Sequence, residues 1–154
     1  MKQLTIRKAT LNDLEVLLEF EQNIVKAERP FDATLQDGVI HYYDLAQMIA
    51  ASNVEVLVAE LDSEIVGSGY VRIDDSKIYL KHQKHGYLGF MYVKPDHRGK
   101  GINNQIIEAL KQWCLAQNIS ELRLDVYSNN ILAIKAYEKA GFTKLLVEMR
   151  MGIS

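Results

Sequence analysis

Apolar residues recur at two different spacings along this 154-residue chain. Leu4 and Ile6 alternate with polar or charged neighbours, which predicts a first strand. Thr10, followed three residues later by Asp13, has the form of a capping box. It predicts a helix running to about Ala27 on an apolar stripe of Leu14, Leu17, Leu18, Ile24 and Val25. Glu21 falls on that same stripe, so it either sits at the stripe's edge and reaches water or carries a carboxylate into a cleft. Glu28 to Asp32 reads as a loop broken by a proline, and a second helix is expected over His41–Ala51. Val54–Leu61 and Ile65–Ile73 read as strands joined by a hairpin turn at Asp62-Ser-Glu64.

Lys81 to His85 forms a basic connection into the apolar run Tyr87–Val93, which predicts a buried strand. The connection is either a solvated loop or positive charge offered to an acidic ligand. A strongly amphipathic helix follows, with Ile102, Ile106, Ile107, Leu110, Trp113 and Cys114 at three- and four-residue spacing. Leu122, Leu124 and Val126 then alternate with Arg123, Asp125 and Tyr127. A strand in that position is expected inside the sheet, where a polar face implies a cleft. Asn130 is expected to cap a short helix with Ala133, Ala136, Tyr137 and Ala140 on its inner side. Gly141 would end that helix, and Phe142 would open a last strand carrying Leu146, Val147 and Met149.

Composition narrows the classes. The length fits one domain spanning residues 1–154, able to bury a core. A net charge of −2 gives no basic excess of the kind nucleic-acid binding needs. The single cysteine rules out an internal disulfide framework and suits a reducing cytoplasm. The charged, alternating start is no signal peptide, and no apolar run reaches membrane-spanning length.

The chemistry concentrates between the buried strand and the amphipathic helix, at Val93-Lys-Pro-Asp-His-Arg-Gly-Lys-Gly-Ile102. Pro95 ends the strand, because proline cannot donate to a ladder. Gly99 and Gly101 remove side chains where a helix begins and its first amides have no internal partner. A bared helix N-terminus favours anions, and Arg98 and Lys100 add full charges. A phosphorylated ligand is therefore expected. The spacing of a Walker loop is absent, and Asn104 occupies the third glycine of a dinucleotide fingerprint.

Arg98-Gly-Lys-Gly-Ile-Asn103 instead resembles the Gln/Arg-x-x-Gly-x-Gly/Ala pyrophosphate loop of the GNAT superfamily of N-acetyltransferases, whose ligand is acetyl-CoA. Asn103 departs from the usual small residue at the last position. Asn130-Ile-Leu-Ala-Ile-Lys-Ala-Tyr-Glu-Lys-Ala-Gly-Phe142 resembles a second hallmark of the same superfamily, and the two occur in the family's order.

The resemblance implies an α/β (α+β) GNAT fold, with a mixed, largely antiparallel sheet and helices on both faces. It also implies acetyl transfer to a primary amine by direct attack in a ternary complex, without a metal. Carried onto matching positions, it gives the pyrophosphate to the amides of Arg98, Gly99, Lys100, Gly101, Ile102, Asn103 and Asn104. The backbone of Met91, Tyr92 and Val93 would pair with the pantetheine arm, beside a bulge that opens the strand. Asn130 would bond the pantetheine, and Tyr137 would protonate the departing thiolate.

A base is also needed, because an amine with a lysine-like pKa of about 10.4 is mostly protonated near neutrality. Leu124-Asp125-Val126 resembles the acid-bearing strand of ribosomal-protein alanine acetyltransferases, making Asp125 one candidate base and Glu21 its rival. The alternative reading is a non-catalytic acyl-CoA-binding sensor, which would have no use for Tyr137. The acceptor is expected to be a small molecule, an amino acid derivative or a peptide N-terminus. Neither nucleic acid nor a membrane is expected as a partner, and assembly as a homodimer is left open.

Overall fold

A computed structural model describes residues 3–154. The chain forms two compact units, one ending at Leu124 and the other spanning Asp125–Ser154. Among the described residues, no helix is long and apolar enough to cross a membrane.

The first unit holds a five-stranded sheet in the order β1-β2-β3-β4-β5. Its strands are β1 (Leu4–Lys8), β2 (Val54–Leu61), β3 (Glu64–Asp75), β4 (Lys84–Val93) and β5 (Leu122–Arg123). The first four pair antiparallel, and β5 pairs parallel to β4. Two successive residues with positive φ, Asp62 and Ser63, close the tight hairpin between β2 and β3. Helix α1 spans Leu14–Glu28, α2 spans Leu45–Ala50 and α3 spans Ile102–Ala116.

Strand alternation divides the core into two layers. Val54, Val56 and Val58 of β2, Tyr70 of β3, and Phe90 and Tyr92 of β4 pack with Leu17 and Phe20 of α1 and Leu45 and Ile49 of α2. On the other face Gly67, Gly69 and Gly86 let α3 approach. A Cβ at Gly69 would come within 2.8 Å of Ile106 and 2.6 Å of the Met91 sulfur. At Gly86 it would meet Cys114 at 2.9 Å. The glycines are therefore the contact surface of the sheet for α3.

Several expectations shift. The capping residues act as foreseen, with the Asp13 carboxylate accepting the Thr10 N–H at 2.8 Å, but they start a single 3-10 turn ahead of α1. Phe20 takes the inward place on α1 that Leu18, 37% exposed, was expected to fill. The second helix is shorter than His41–Ala51, because Asp44 caps it through the Gln47 amide. Within the basic connection, His82 lies 2.9 Å from Glu121 and Lys84 pairs with Asp75 at 2.6 Å. Finally, β5 is an edge strand of two residues and not an interior one. Alternation fixed its faces but could not say whether anything lies beyond it.

In the second unit, α4 runs over Ile131–Lys139. The Asn130 side chain accepts the Ala133 amide at 3.3 Å, as a cap should. The inward residue is Ile134, 9% exposed, whereas Ala136 and Ala140 are exposed. Gly141 ends the helix at φ +112°, and the Phe142 amide donates to the Tyr137 carbonyl at 3.0 Å. The expected last strand does not form a ladder: residues 142–154 have no strand pairing.

Candidate functional site

The phosphate-loop stretch is built by three successive local events. Pro95–His97 makes one 3-10 turn after β4, closed by the Arg98 amide on the Pro95 carbonyl at 3.3 Å. Gly99 (φ +77°) and Gly101 (φ +81°) then adopt left-handed backbone that other residues occupy only at a cost. Helix α3 begins at Ile102, and its first internal bond runs from the Gln105 amide to the Gly101 carbonyl at 3.1 Å. The amides of Ile102, Asn103 and Asn104 therefore have no partner within the helix. No side chain caps this end, and a Cβ at Gly99 or Gly101 would meet nothing within 4 Å. The loop thus offers bare, outward-facing backbone at the positive end of a 15-residue helix.

Arg98 is placed differently from a simple phosphate clamp. Its Nε donates to the Val93 carbonyl at 2.9 Å, and its guanidinium lies 5.8 Å from the centre of the Tyr92 ring. It ties the loop to the end of β4 while keeping its charge there. Lys100 is exposed.

The end of β4 carries the expected bulge. Ser68 pairs with Tyr92 and Tyr70 with Gly89, so Phe90 and Met91 together stand opposite the single residue Gly69. Phe90 has φ +56°, and its carbonyl accepts the buried Ser68 hydroxyl at 3.0 Å. Phe20 packs on Tyr92 at 4.7 Å between ring centres, and Asn23 donates to the Tyr92 hydroxyl at 3.2 Å. Met91, Tyr92 and Val93 are thus held in place on the strand that leads into the glycine loop.

Glu21 does not reach water, contrary to the stripe-edge reading. It is fully buried, with one oxygen 2.9 Å from His41 Nδ1 and the other accepting the amides of Tyr42 and Tyr43 at 2.8 and 2.9 Å. The carboxylate ties the turn before α2 to α1. Its place on the stripe signalled burial, but its partners lie some twenty residues on in the sequence, where no pattern marks them.

Sequence reasoning overlooked a cluster on the α1 face. The Tyr43 ring meets Phe90 at 5.3 Å and Tyr70 at 5.4 Å, both edge-on. The Phe90 amide donates to the Tyr43 hydroxyl, and burial pushes that phenol well above its ordinary range. Glu28, at the end of α1, lies close enough to act on Tyr43 electrostatically. Burial raises the Glu28 carboxyl, partly offset by a hydrogen bond from Tyr42. The available signal was the group Tyr42-Tyr43, too common a pairing to single out. A cleft of about 690 Å³ lined by Asn53, Asp74 and Lys84 lies at the opposite end of β3 from the bulge.

In the second unit, Asp125 lies beyond the end of β5 and is exposed. Asn130 caps α4, and the half-buried Tyr137 packs edge-on against Phe142 at 5.8 Å.

A bulged strand running into a glycine-bared helix start is the geometry against which known proteins can be compared. Residues 19–142 match the model of the Acetyltransferase (GNAT) family. The chain belongs to that family. A streptothricin acetyltransferase of Escherichia coli is 33% identical over 85 residues, covering 55% of this chain and 45% of that protein. The matched part thus spans less than half of that relative's length. An N-alpha-acetyltransferase of Saccharolobus solfataricus is 24% identical over 95% of this chain and 84% of its own. Among solved structures, the tetramutant of the BH1408 protein from Bacillus halodurans superposes with a TM-score of 0.84 at 21% identity, covering 97% of this chain and 99% of that one. A Clostridium acetobutylicum structure described as a predicted acetyltransferase with acetyl-CoA gives 0.72 at 20% identity, covering 97% and 96%. These likenesses show the GNAT fold.

Proposed function

We propose that this GNAT protein transfers an acetyl group from acetyl-CoA to a primary amine by direct attack in a ternary complex. The observation that carries the reading is the junction of the bulged β4 with the bare N-terminus of α3. A coenzyme with a pyrophosphate and an extended amide arm fits such a junction chemically: the amides from Gly99 to Asn104 bind the anion, and the backbone of Met91, Tyr92 and Val93 pairs with the arm. A relative's structure described with acetyl-CoA supports the choice of donor.

The thioester supplies an activated acetyl group, so the protein's share is to position, deprotonate and protonate. A backbone N–H of the bulged strand stabilises the oxyanion that forms on attack. Tyr137 serves as the acid to the leaving thiolate, and the Asn130 side chain bonds the pantetheine arm. A covalent route through the protein's one cysteine is unattractive, because Cys114 is buried and its thiol is pushed up to about 11.

For the base we retain Asp125, since Glu21 already accepts two amides and faces His41. Glu28 offers a second reading, favoured by one observation. Burial raises its carboxyl, and it stands by the aromatic cluster at the bulge. The acceptor is a small amine, an amino acid derivative or a peptide N-terminus. A panel of such amines with acetyl-CoA, read by release of free CoA thiol, tests the proposal. Turnover on at least one amine is expected. CoA binding with no turnover on any of them would favour the acyl-CoA sensor.

A further inference from the structure

Ser68 is fully buried in β3, and nothing in the proposed chemistry uses it. It stands between Gly67 and Gly69, and its hydroxyl donates to the Phe90 carbonyl at 3.0 Å. A hydroxyl taken out of water is costly unless it is paired, so this bond accounts for a polar residue in an apolar layer. The same bulged residue is held at its other end, where its amide donates to the Tyr43 hydroxyl. The Tyr43 ring stands edge-on to Phe90 at 5.3 Å and to Tyr70 at 5.4 Å, which fixes where that hydroxyl lies. Two side chains from outside β4 thus grip the N–H and the C=O of one residue.

Phe90 needs such a grip. Its φ of +56° is left-handed backbone, which an aromatic residue adopts only where its surroundings impose it. The competing arrangement is a regular ladder with Phe90 extended, and it differs in phase. Gly86 faces α3, since a Cβ there would meet Cys114 at 2.9 Å. Gly89 faces the other way, where a Cβ would meet the Tyr70 hydroxyl at 2.6 Å. Phe90 packs in the same layer as Tyr70, so two successive residues face α1. Beyond them Met91 lies over Gly69 toward α3, and Tyr92 packs with Phe20 toward α1. Without the bulge, Met91, Tyr92 and Val93 would each change face. Their backbone groups would turn to the opposite edge as well, because both alternate with period two. Strand β5 covers the outer edge of β4 only at Gly86 and Tyr87.

We infer that Ser68 and Tyr43 are positioning residues for the coenzyme arm. They hold Phe90 in its left-handed state and so aim the backbone of Met91, Tyr92 and Val93 at the edge where the arm pairs. The inference deepens the proposed function and rests on its reading of β4 as the arm's partner. Neither side chain needs to touch the coenzyme. Losing either hydroxyl raises the population of the competing ladder, and apparent affinity falls with the fraction of chains left in the competent state.

The test compares two ligands by calorimetry: CoA, and the coenzyme's nucleotide cut off after its pyrophosphate. The wild type should bind CoA more tightly than the truncated nucleotide. Ser68→Ala and Tyr43→Phe each remove one hydroxyl and keep the surrounding packing. Each should weaken CoA roughly three- to tenfold, as loss of one hydrogen bond implies, and leave the truncated nucleotide unchanged. In the free protein, the Phe90 amide should exchange with solvent about tenfold faster in Tyr43→Phe than in the wild type, while amides of β1 and β2 keep their rates. Unchanged Phe90 exchange would show that no such grip exists. Unchanged CoA affinity in both variants would overturn the inference, and so would equal losses for the two ligands, since a general loosening acts on both. The functional reading fails by a different sign: a wild type that binds both ligands alike, or neither, removes the arm from β4 and takes the inference with it.

Discussion

The residues up to Leu124 and the thirty after it have equally clear apolar periodicity, yet they fare differently. In the first region every predicted strand finds a ladder, and the apolar stripes of α1 and α3 are covered by opposite faces of one sheet. In the second, α4 buries one residue below a tenth exposure, and a strong two-residue alternation stays in solvent. The difference teaches what periodicity encodes. It says which side chains share a face, and it is silent on what covers that face. Where the cover lies in the same unit, the pattern reads as fold. Elsewhere it reads as surface.

The proposed chemistry divides along the same line, and mutations can separate the two parts. The largest effect is expected from Tyr137→Phe, which keeps the ring packed on Phe142 and removes one hydroxyl. Turnover on a confirmed amine should fall about 10²-fold, the low end for general acid catalysis, with CoA affinity and melting temperature unchanged. Unaltered turnover would reduce the tyrosine to packing.

Gly69→Val should do the opposite. Its Cβ would lie 2.6 Å from Met91 and 2.8 Å from Ile106, so the first unit should lose about 1–3 kcal/mol in chemical denaturation. Full stability would mean that α3 sits less tightly on the sheet than the contacts indicate.

The base is separable by pH. If Asp125 serves, Asp125→Asn should lower kcat and kcat/KM together and flatten the acidic limb of the rate profile, provided chemistry limits the rate. If Glu28→Gln does so instead, the base belongs to the aromatic cluster at the bulge. If neither variant changes the profile, the chain has no dedicated base at these positions.

The smallest effect tests the first unit's acid sensitivity. Arg7 makes a bidentate contact with Asp13 at 2.9 Å and holds its carboxyl below the ordinary carboxylate range. A lowered acid contributes stability above its unfolded pKa of about 4 and loses it as pH falls through the folded value. Asp13→Asn should cost about 1 kcal/mol at pH 7 and flatten the acid side of the stability curve. Burial raises Glu28, which reverses the sign: its contribution is present at low pH and disappears as pH rises through the raised value.

Much of this was legible from the residues. Val54–Leu61 was expected at its observed bounds, and the glycine loop marked a bare helix N-terminus that the structure shows. The features that escaped depend on contacts distant in sequence. Glu21 was read as a surface or cleft acid because its partners, His41 to Tyr43, belong to a turn whose docking no spacing reveals. Phe20 displaced Leu18 inward because it stacks on Tyr92 of β4. The strand expected inside the sheet is a two-residue edge strand of the first unit, because alternation gives a strand's faces and not its neighbours.

The central claim is that the N-terminus of α3 holds a coenzyme pyrophosphate, and calorimetric titration of CoA into the wild type and Gly101→Val tests it most directly. The wild type should bind in the micromolar range, near roughly −8 kcal/mol. The variant places a branched side chain at φ +81°, where the ligand's phosphates are proposed to lie, and should bind at least about tenfold more weakly while still melting cooperatively. Equal affinity in a cooperatively melting variant would contradict the account.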